Sequence, residues 1–152
     1  MTIDKYMKRN VVSIPVTYTI REAAGVLVNK HIGLLPVVDQ HGKLVGVVSL
    51  QTLLSLELPD FISFIADVDF VHDFGAVETT RPSDEVLDRP VTTLMSPAIS
   101  VPADAGLLRT YALLLQHKLH DMPIVAADGK LVGIASRVDI GVAILSNWKK
   151  AD

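Results

Sequence analysis

The stretch Leu35-Pro-Val-Val-Asp-Gln-His-Gly-Lys-Leu-Val-Gly-Val-Val-Ser49 returns later in the chain as Met122-Pro-Ile-Val-Ala-Ala-Asp-Gly-Lys-Leu-Val-Gly-Ile-Ala-Ser136. The pentapeptide GKLVG is identical at 42–46 and 129–133, an offset of 87 residues. The same offset relates Pro36 to Pro123, Val38 to Val125 and Ser49 to Ser136. An identical pentapeptide inside two similarly patterned blocks marks an internal repeat, and a repeat has to be read before any single element. The flanks match more loosely, Met7 with Met95 and Pro15 with Pro102.

Working outward, each block has the same order. A short apolar segment (11–14, 98–101) ends at Pro15 or Pro102. An amphipathic helix follows, carrying Ile20, Ala23, Ala24, Leu27 and Val28 in block one. In block two it carries Leu107, Leu108, Tyr111, Ala112 and Leu115, with Asp104 as its expected N-cap. Two β-rich runs come next, 35–38 with 44–48 and 124–126 with 131–135. They are joined by Asp- and Gly-containing hairpin turns. A second helix opens near Ser49 or Ser136. The expected fold class is therefore α+β, two pseudo-symmetric β-α-β-β-α units. A unit of about 50 residues buries too little surface to be secure alone, so two should share a core.

Composition agrees and excludes several functions. The chain has 152 residues, 49% of them hydrophobic and only 5% aromatic, with a mean hydropathy of +0.38. That is too apolar for a disordered chain. It is too poor in aromatics for a base-stacking platform, and a net charge of −3 gives no basic nucleic-acid footprint. The absence of cysteine removes disulfide, thiolate-metal and cysteine-nucleophile chemistry, and it suits a reducing compartment. No apolar run reaches membrane-spanning length and the N-terminus has no apolar signal core, so a cytoplasmic protein without a membrane partner is expected.

Residues 1–57 thus form unit one and 90–152 unit two, with an acidic insert at 58–89. From 56 to 92 the chain carries nine acidic and two basic residues, a net −7 that leaves +4 for the remainder. Phe61, Phe64, Phe70 and Phe74, the only phenylalanines, fall in this segment. Residues 59–73 read as one or two short docking helices, and the stretch from Arg81 to Glu85 as loop.

The duplicated arrangement resembles a tandem pair of cystathionine-β-synthase (CBS) domains over residues 6–57 and 90–148. That family's signature is a Pro-containing strand, a Gly turn and then Gly-h-h-Ser/Thr-x-x-Asp opening the last helix. Block two has it in full as Gly133-Ile-Ala-Ser136-Arg-Val-Asp139, whereas block one ends Ser49-Leu-Gln-Thr52, with Thr in place of the acid. The resemblance implies a regulatory module that binds an adenosine-containing metabolite in a cleft between the units and signals to an effector protein the sequence does not name. By it, Asp139 would accept the ribose hydroxyls, Ser136 would hold the polar tail, and Ile99, Ser100, Met122 and Pro123 would line the base pocket. Arg137 is a further ligand-binding candidate. A degenerate second site would comprise Ser49, Thr52 and Pro36. No cofactor is required; AMP, ADP, ATP or S-adenosylmethionine are the candidate bound ligands.

The same residues also have a plain structural reading. Ser-x-x-Asp is a carboxylate variant of the helix capping box, and the two roles are compatible. Nucleotide-binding members often place a base just before the strand Pro, but here the positions read His120-Asp121-Met122-Pro123 and Gly33-Leu34-Leu35-Pro36. Asp121 facing the cleft would repel a phosphate, which brings S-adenosylmethionine and adenosine forward. His117-x-x-His120 has helical spacing for a metal, yet it reads as a helix C-terminus, and no metal site is expected. Asp67, Asp69, His72 and Asp73 read as an exposed acidic face.

There is no Gly-x-Ser-x-Gly elbow, phosphate-binding loop or zincin helix, and neither Ser49 nor Ser136 has an identifiable base. No catalytic residue is assigned and an enzyme is not expected. The alternative function is a ligand-free dimerisation or protein-interaction module, a homodimer through its helices as in the disc-like assemblies of similar domains. A third reading, a transcription-linked partner, would require another chain to touch DNA, because no direct nucleic-acid contact is expected.

Overall fold

A computed structural model describes residues 1–56 and 81–149. The expected docking helices at 59–73 lie outside the described residues. The described elements are β1 (Ile14–Pro15), α1 (Ile20–Lys30), β2 (Leu34–Val38), β3 (Leu44–Ser49) and α2 (Leu50–Leu54). They continue with α3 (Asp84–Leu87), β4 (Val101–Pro102), α4 (Leu107–Gln116), β5 (Asp121–Val125), β6 (Leu131–Ser136) and α5 (Arg137–Ser146). The fold is α+β, with two three-stranded sheets ordered β1-β2-β3 and β4-β5-β6. In each, a parallel first pair is followed by the hairpin that the repeat encodes.

Local chemistry sets the boundaries. Gly42 (φ 78°) and Gly129 (φ 86°) occupy the left-handed conformation that turns each hairpin. Asp39 steadies the first turn by accepting from the backbone N–H groups of His41 (2.8 Å) and Lys43 (3.0 Å). α1 starts at a capping box, in which Thr19 Oγ1 accepts from Glu22 N–H (3.1 Å) and Glu22 Oε1 accepts from Thr19 N–H (3.2 Å). The expected cap of α4, Asp104, lies two residues too early; Gly106 occupies the N-cap position and offers no side chain. The stretch from Arg81 to Glu85 is not all loop either. Ser83 Oγ accepts from Val86 N–H (3.3 Å) and starts the single turn of α3.

The looser flanks also resolve. Short 3-10 turns at Ile3–Lys5 and Val91–Thr93 precede the two blocks. Ile3 to Val91 and Met7 to Met95 are each offset by 88 residues, whereas β1 to β4 is offset by 87. Block two is therefore one residue shorter between its methionine and its first strand.

The chain forms two compact units, each drawing on both repeats. One comprises Met1–Pro15, Pro36–Val47 and Pro97–Asp152, the other Val16–Leu35 and Val48–Ser96. In the first, the N-terminal segment docks by backbone pairing. Ile3 N–H donates to Ala105 C=O (2.8 Å), Lys8 N–H to Ile134 C=O (2.8 Å) and Ile134 N–H to Lys8 C=O (3.0 Å). The two turns are joined reciprocally, Leu44 N–H to Gly129 C=O and Leu131 N–H to Gly42 C=O, both at 3.1 Å. Beneath lies an apolar core that includes Ile3, Met7, Leu114, Met122, Ile124 and Ile140. In the second unit the segment before the second block plays the same part: Ile20 N–H donates to Arg89 C=O (3.0 Å) and Val91 N–H to Tyr18 C=O (2.8 Å). Arg21 forks onto Asp84 (2.8 Å) and Asp88 (3.1 Å), tying α1 to α3.

Gly133 shows why the repeated Gly-x-x-Ser must begin with glycine in block two. A Cβ there would overlap Met7 Sδ and lie 3.2 Å from the Lys8 carbonyl. Gly133→Val should therefore cost about 1–3 kcal/mol by overpacking, a fall of roughly 3–10 °C in Tm for a chain of this size. Thermal unfolding checks this. Met7→Ala in the same chain should recover part of the loss, whereas simple additivity would place the clash elsewhere.

Candidate functional site

The site begins with an abrupt change from strand to helix. β6 ends at Ser136, whose extended backbone (φ −86°, ψ 165°) makes it the N-cap of α5. Its hydroxyl accepts from Asp139 N–H (3.0 Å), and Asp139 Oδ2 accepts from Ser136 N–H (2.9 Å). The capping reading of Ser-x-x-Asp is thus realised in full. It also fixes the carboxylate at the helix start, where the backbone dipole favours an anion. With 22% of its side chain exposed, Asp139 remains reachable from solvent.

Two charged side chains and an open groove flank this carboxylate. Lys8, brought in by its backbone pairing with Ile134, places Nζ 3.8 Å from Asp139 Oδ2. Asp121 lies directly across the β5–β6 pair from Ser136. Burial pushes the Asp121 carboxyl above the usual carboxylate range; His120 and Lys8 pull it back down, and the charge of Asp139 pushes it up. Tyr6, Val138, Asp139, Val142, Ala143 and Ser146 line an open groove of about 330 Å³ along α5. Nothing in the local sequence pattern points to Lys8 or Tyr6, because a long-range backbone pairing puts them there.

The other sequence-derived residues fall differently. Met122 is fully buried in the core, paired with Ala135, and Pro123 is buried beside it. Ile99 packs partly buried against the same core, and Ser100 is half-buried just before β4. Arg137 turns away from the carboxylate. Its Nε donates to Leu119 C=O (2.5 Å) and its Nη2 to Leu114 C=O (3.4 Å), supplying cationic donors to carbonyls at the end of α4. His117 is the C-cap of α4, and the His120 carbonyl accepts from Arg137 N–H (3.0 Å).

In block one, Ser49 caps α2 by accepting from Thr52 N–H (3.1 Å), and the two hydroxyls are hydrogen-bonded at 2.9 Å. Thr52 therefore keeps the cap without supplying a carboxylate. Pro36 is buried within β2.

The CBS domain model matches this chain twice, at residues 3–58 and 91–146. The chain belongs to the CBS-domain family. The chain is 33% identical, over an alignment of 155 residues, to CBSX2, a chloroplastic CBS domain-containing protein of Arabidopsis thaliana. That match covers 95% of this chain and 63% of the relative, so the chain spans a little under two-thirds of its length. CBSX1, also chloroplastic in Arabidopsis thaliana, is 31% identical over 99% of the chain and 67% of the relative. A crystal structure of CBSX2 in complex with AMP superposes with a TM-score of 0.72 at 30% identity, covering 97% of this chain and 98% of that one. The CBS domain pair of protein MJ0100, in complex with 5′-methylthioadenosine and S-adenosyl-L-methionine, shares the fold at 19% identity and a TM-score of 0.65, covering 98% of both chains. Among the described residues no helix is long and apolar enough to cross a membrane.

Two stability outcomes follow from this CBS site. Asp139→Ala removes the reciprocal half of the cap and should cost about 1 kcal/mol, read as a lower midpoint in urea. Asp121 is a carboxyl whose pKa is raised on folding. Its contribution is fully present below the unfolded value near 3.8 and is lost as pH rises through the folded value. Asp121→Asn should therefore gain stability relative to the parent at pH 7, and the gain should shrink towards zero as pH falls to the unfolded value. A difference that stays constant with pH would contradict the assignment.

Proposed function

We propose that this CBS pair is a regulatory sensor, without enzymatic activity of its own, that binds an adenosine-containing metabolite at the start of α5. The observation that carries the reading is the intact Ser136–Asp139 box, with its carboxylate fixed at a helix N-terminus and still reachable from solvent. A fixed carboxylate can accept both hydroxyls of a ribose as charge-assisted hydrogen bonds. The Ser136 hydroxyl, which accepts from Asp139 N–H, can still donate its own proton to the polar substituent. Ile99, Ser100, Met122 and Pro123 form the apolar side of the base site in this reading. Met122 and Pro123 are buried, so their contact with a base would require local opening. Arg137 acts on the site indirectly, by holding the end of α4 against the start of α5. The complex of CBSX2 with AMP, a relative matched over nearly the whole chain, supports the class of ligand. The Ser49–Thr52 position is a degenerate second site, since its hydroxyls cannot replace a carboxylate. No cofactor is needed. AMP, ADP, ATP and S-adenosylmethionine are the ligands to try, and the ligand-bound form signals to an effector protein. The cysteine-free composition suits a cytoplasmic setting.

The test is thermal unfolding with a panel of AMP, ADP, ATP, adenosine and S-adenosylmethionine. A ligand at 100 times its Kd adds about 2.7 kcal/mol, roughly 5–10 °C here. A shift with at least one compound that disappears in Asp139→Ala supports the sensor. A flat panel, or an undiminished shift in the variant, contradicts it.

A second reading, self-association, has its own observation. Val138, Val142 and Leu145 recur at helical spacing on α5 and are 70%, 60% and 50% exposed; Leu108 and Leu115 do the same on α4 at 73% and 51%. Exposed apolar side chains in this number on two helices fit a homodimer built on them. Val142→Glu should lower the sedimentation mass from dimer to monomer, and a parent chain that is already monomeric rules the reading out.

A further inference from the structure

The charges around the Asp139 carboxylate carry the ligand class further. Asp121 and Asp139 bring two carboxylates to one end of the site, on either side of the Ser136 cap: Asp121 across the β5–β6 pair, Asp139 on the first turn of α5. Against them stand Lys8, whose side chain is 68% exposed and which already faces Asp139 at 3.8 Å, and His120, which is exposed. A third basic group, Arg137, is spent on the carbonyls of Leu119 and Leu114. The cations are therefore solvated or engaged, while Asp121 is half-buried and its field is less screened by water.

We propose that Asp121 is a specificity-determining residue that selects adenosine derivatives whose 5′ substituent is uncharged or cationic and disfavours 5′-phosphates. The inference rests on the Asp139–Ser136 site proposed above. With the ribose hydroxyls on Asp139 and the 5′ substituent at Ser136, that substituent lies on the strand-facing side of the cap, where Asp121 is the nearest charged side chain of β5. A thioether adds no charge there and a sulfonium adds a positive one, which two carboxylates tolerate or favour. A phosphate dianion meets Asp121 where the neighbouring basic groups are solvated (Lys8, His120) or engaged (Arg137), and juxtaposed like charges are an effective way to reject a competitor.

The experiment is isothermal titration of the full chain with 5′-methylthioadenosine and AMP, in the parent and in Asp121→Asn, at 50 mM and 500 mM salt. The parent should bind 5′-methylthioadenosine at least about tenfold more tightly than AMP. Asp121→Asn should move the ratio of the two dissociation constants towards AMP by about tenfold, and in the parent alone the ratio should narrow at high salt. The salt series keeps the test decisive if the variant does not fold. AMP bound as tightly as 5′-methylthioadenosine by the parent, or a ratio insensitive to both the variant and salt, overturns the role of Asp121 while leaving the Asp139 site standing. Binding of neither compound overturns the site reading, and this inference with it.

Discussion

The pairing of Lys8 with Ile134 is the contact on which the rest of the site depends. Two backbone hydrogen bonds, each near 3 Å, lay the N-terminal segment along β6, and Met7 then fills the space left by the missing side chain of Gly133. Backbone pairing of this kind satisfies donors and acceptors that would otherwise be costly to bury. It also closes the core under Ile3 and Met7 and carries Lys8 and Tyr6 to the start of α5. Without it, Asp139 would be a helix cap with no cationic neighbour and no groove wall.

The second block holds what the first lacks. Ser136 and Asp139 make a reciprocal cap on a ten-residue helix, whereas Ser49 and Thr52 make a one-sided cap on a five-residue helix. A single change from carboxylate to hydroxyl removes both the acceptor for a second N–H and the charge that favours the helix start. The asymmetry of the two CBS repeats at this position therefore begins in ordinary helix chemistry. In the proposed site one carboxylate both caps α5 and receives the ligand, so a ligand on the other oxygen of Asp139 would compete with Lys8 for its charge. That gives occupancy a route to the N-terminal segment.

Much of this was legible in the sequence because it is local. The 87-residue offset, the Asp and Gly turns and the two serines that open the last helices fixed the β-α-β-β-α order without reference to anything distant. The Thr19-Ile-Arg-Glu22 box is equally local, whereas Asp104 does not cap α4 because that helix starts after Gly106. What no local pattern carries is the exchange of leading segments. Ile3 on Ala105 and Val91 on Tyr18 join residues far apart in the chain by backbone atoms alone, which leave no side-chain signature. For the same reason no local pattern marks Lys8, which its backbone pairing with Ile134 carries to Asp139.

The central claim is that an adenosine ligand is recognised at the start of α5. Amide chemical shifts of the ¹⁵N-labelled chain, followed during titration with 5′-methylthioadenosine or AMP, test it most directly. The account predicts saturable shifts concentrated at residues 136–140, with smaller ones at Lys8 and Asp121. Shifts that saturate elsewhere while residues 136–140 stay fixed would contradict it.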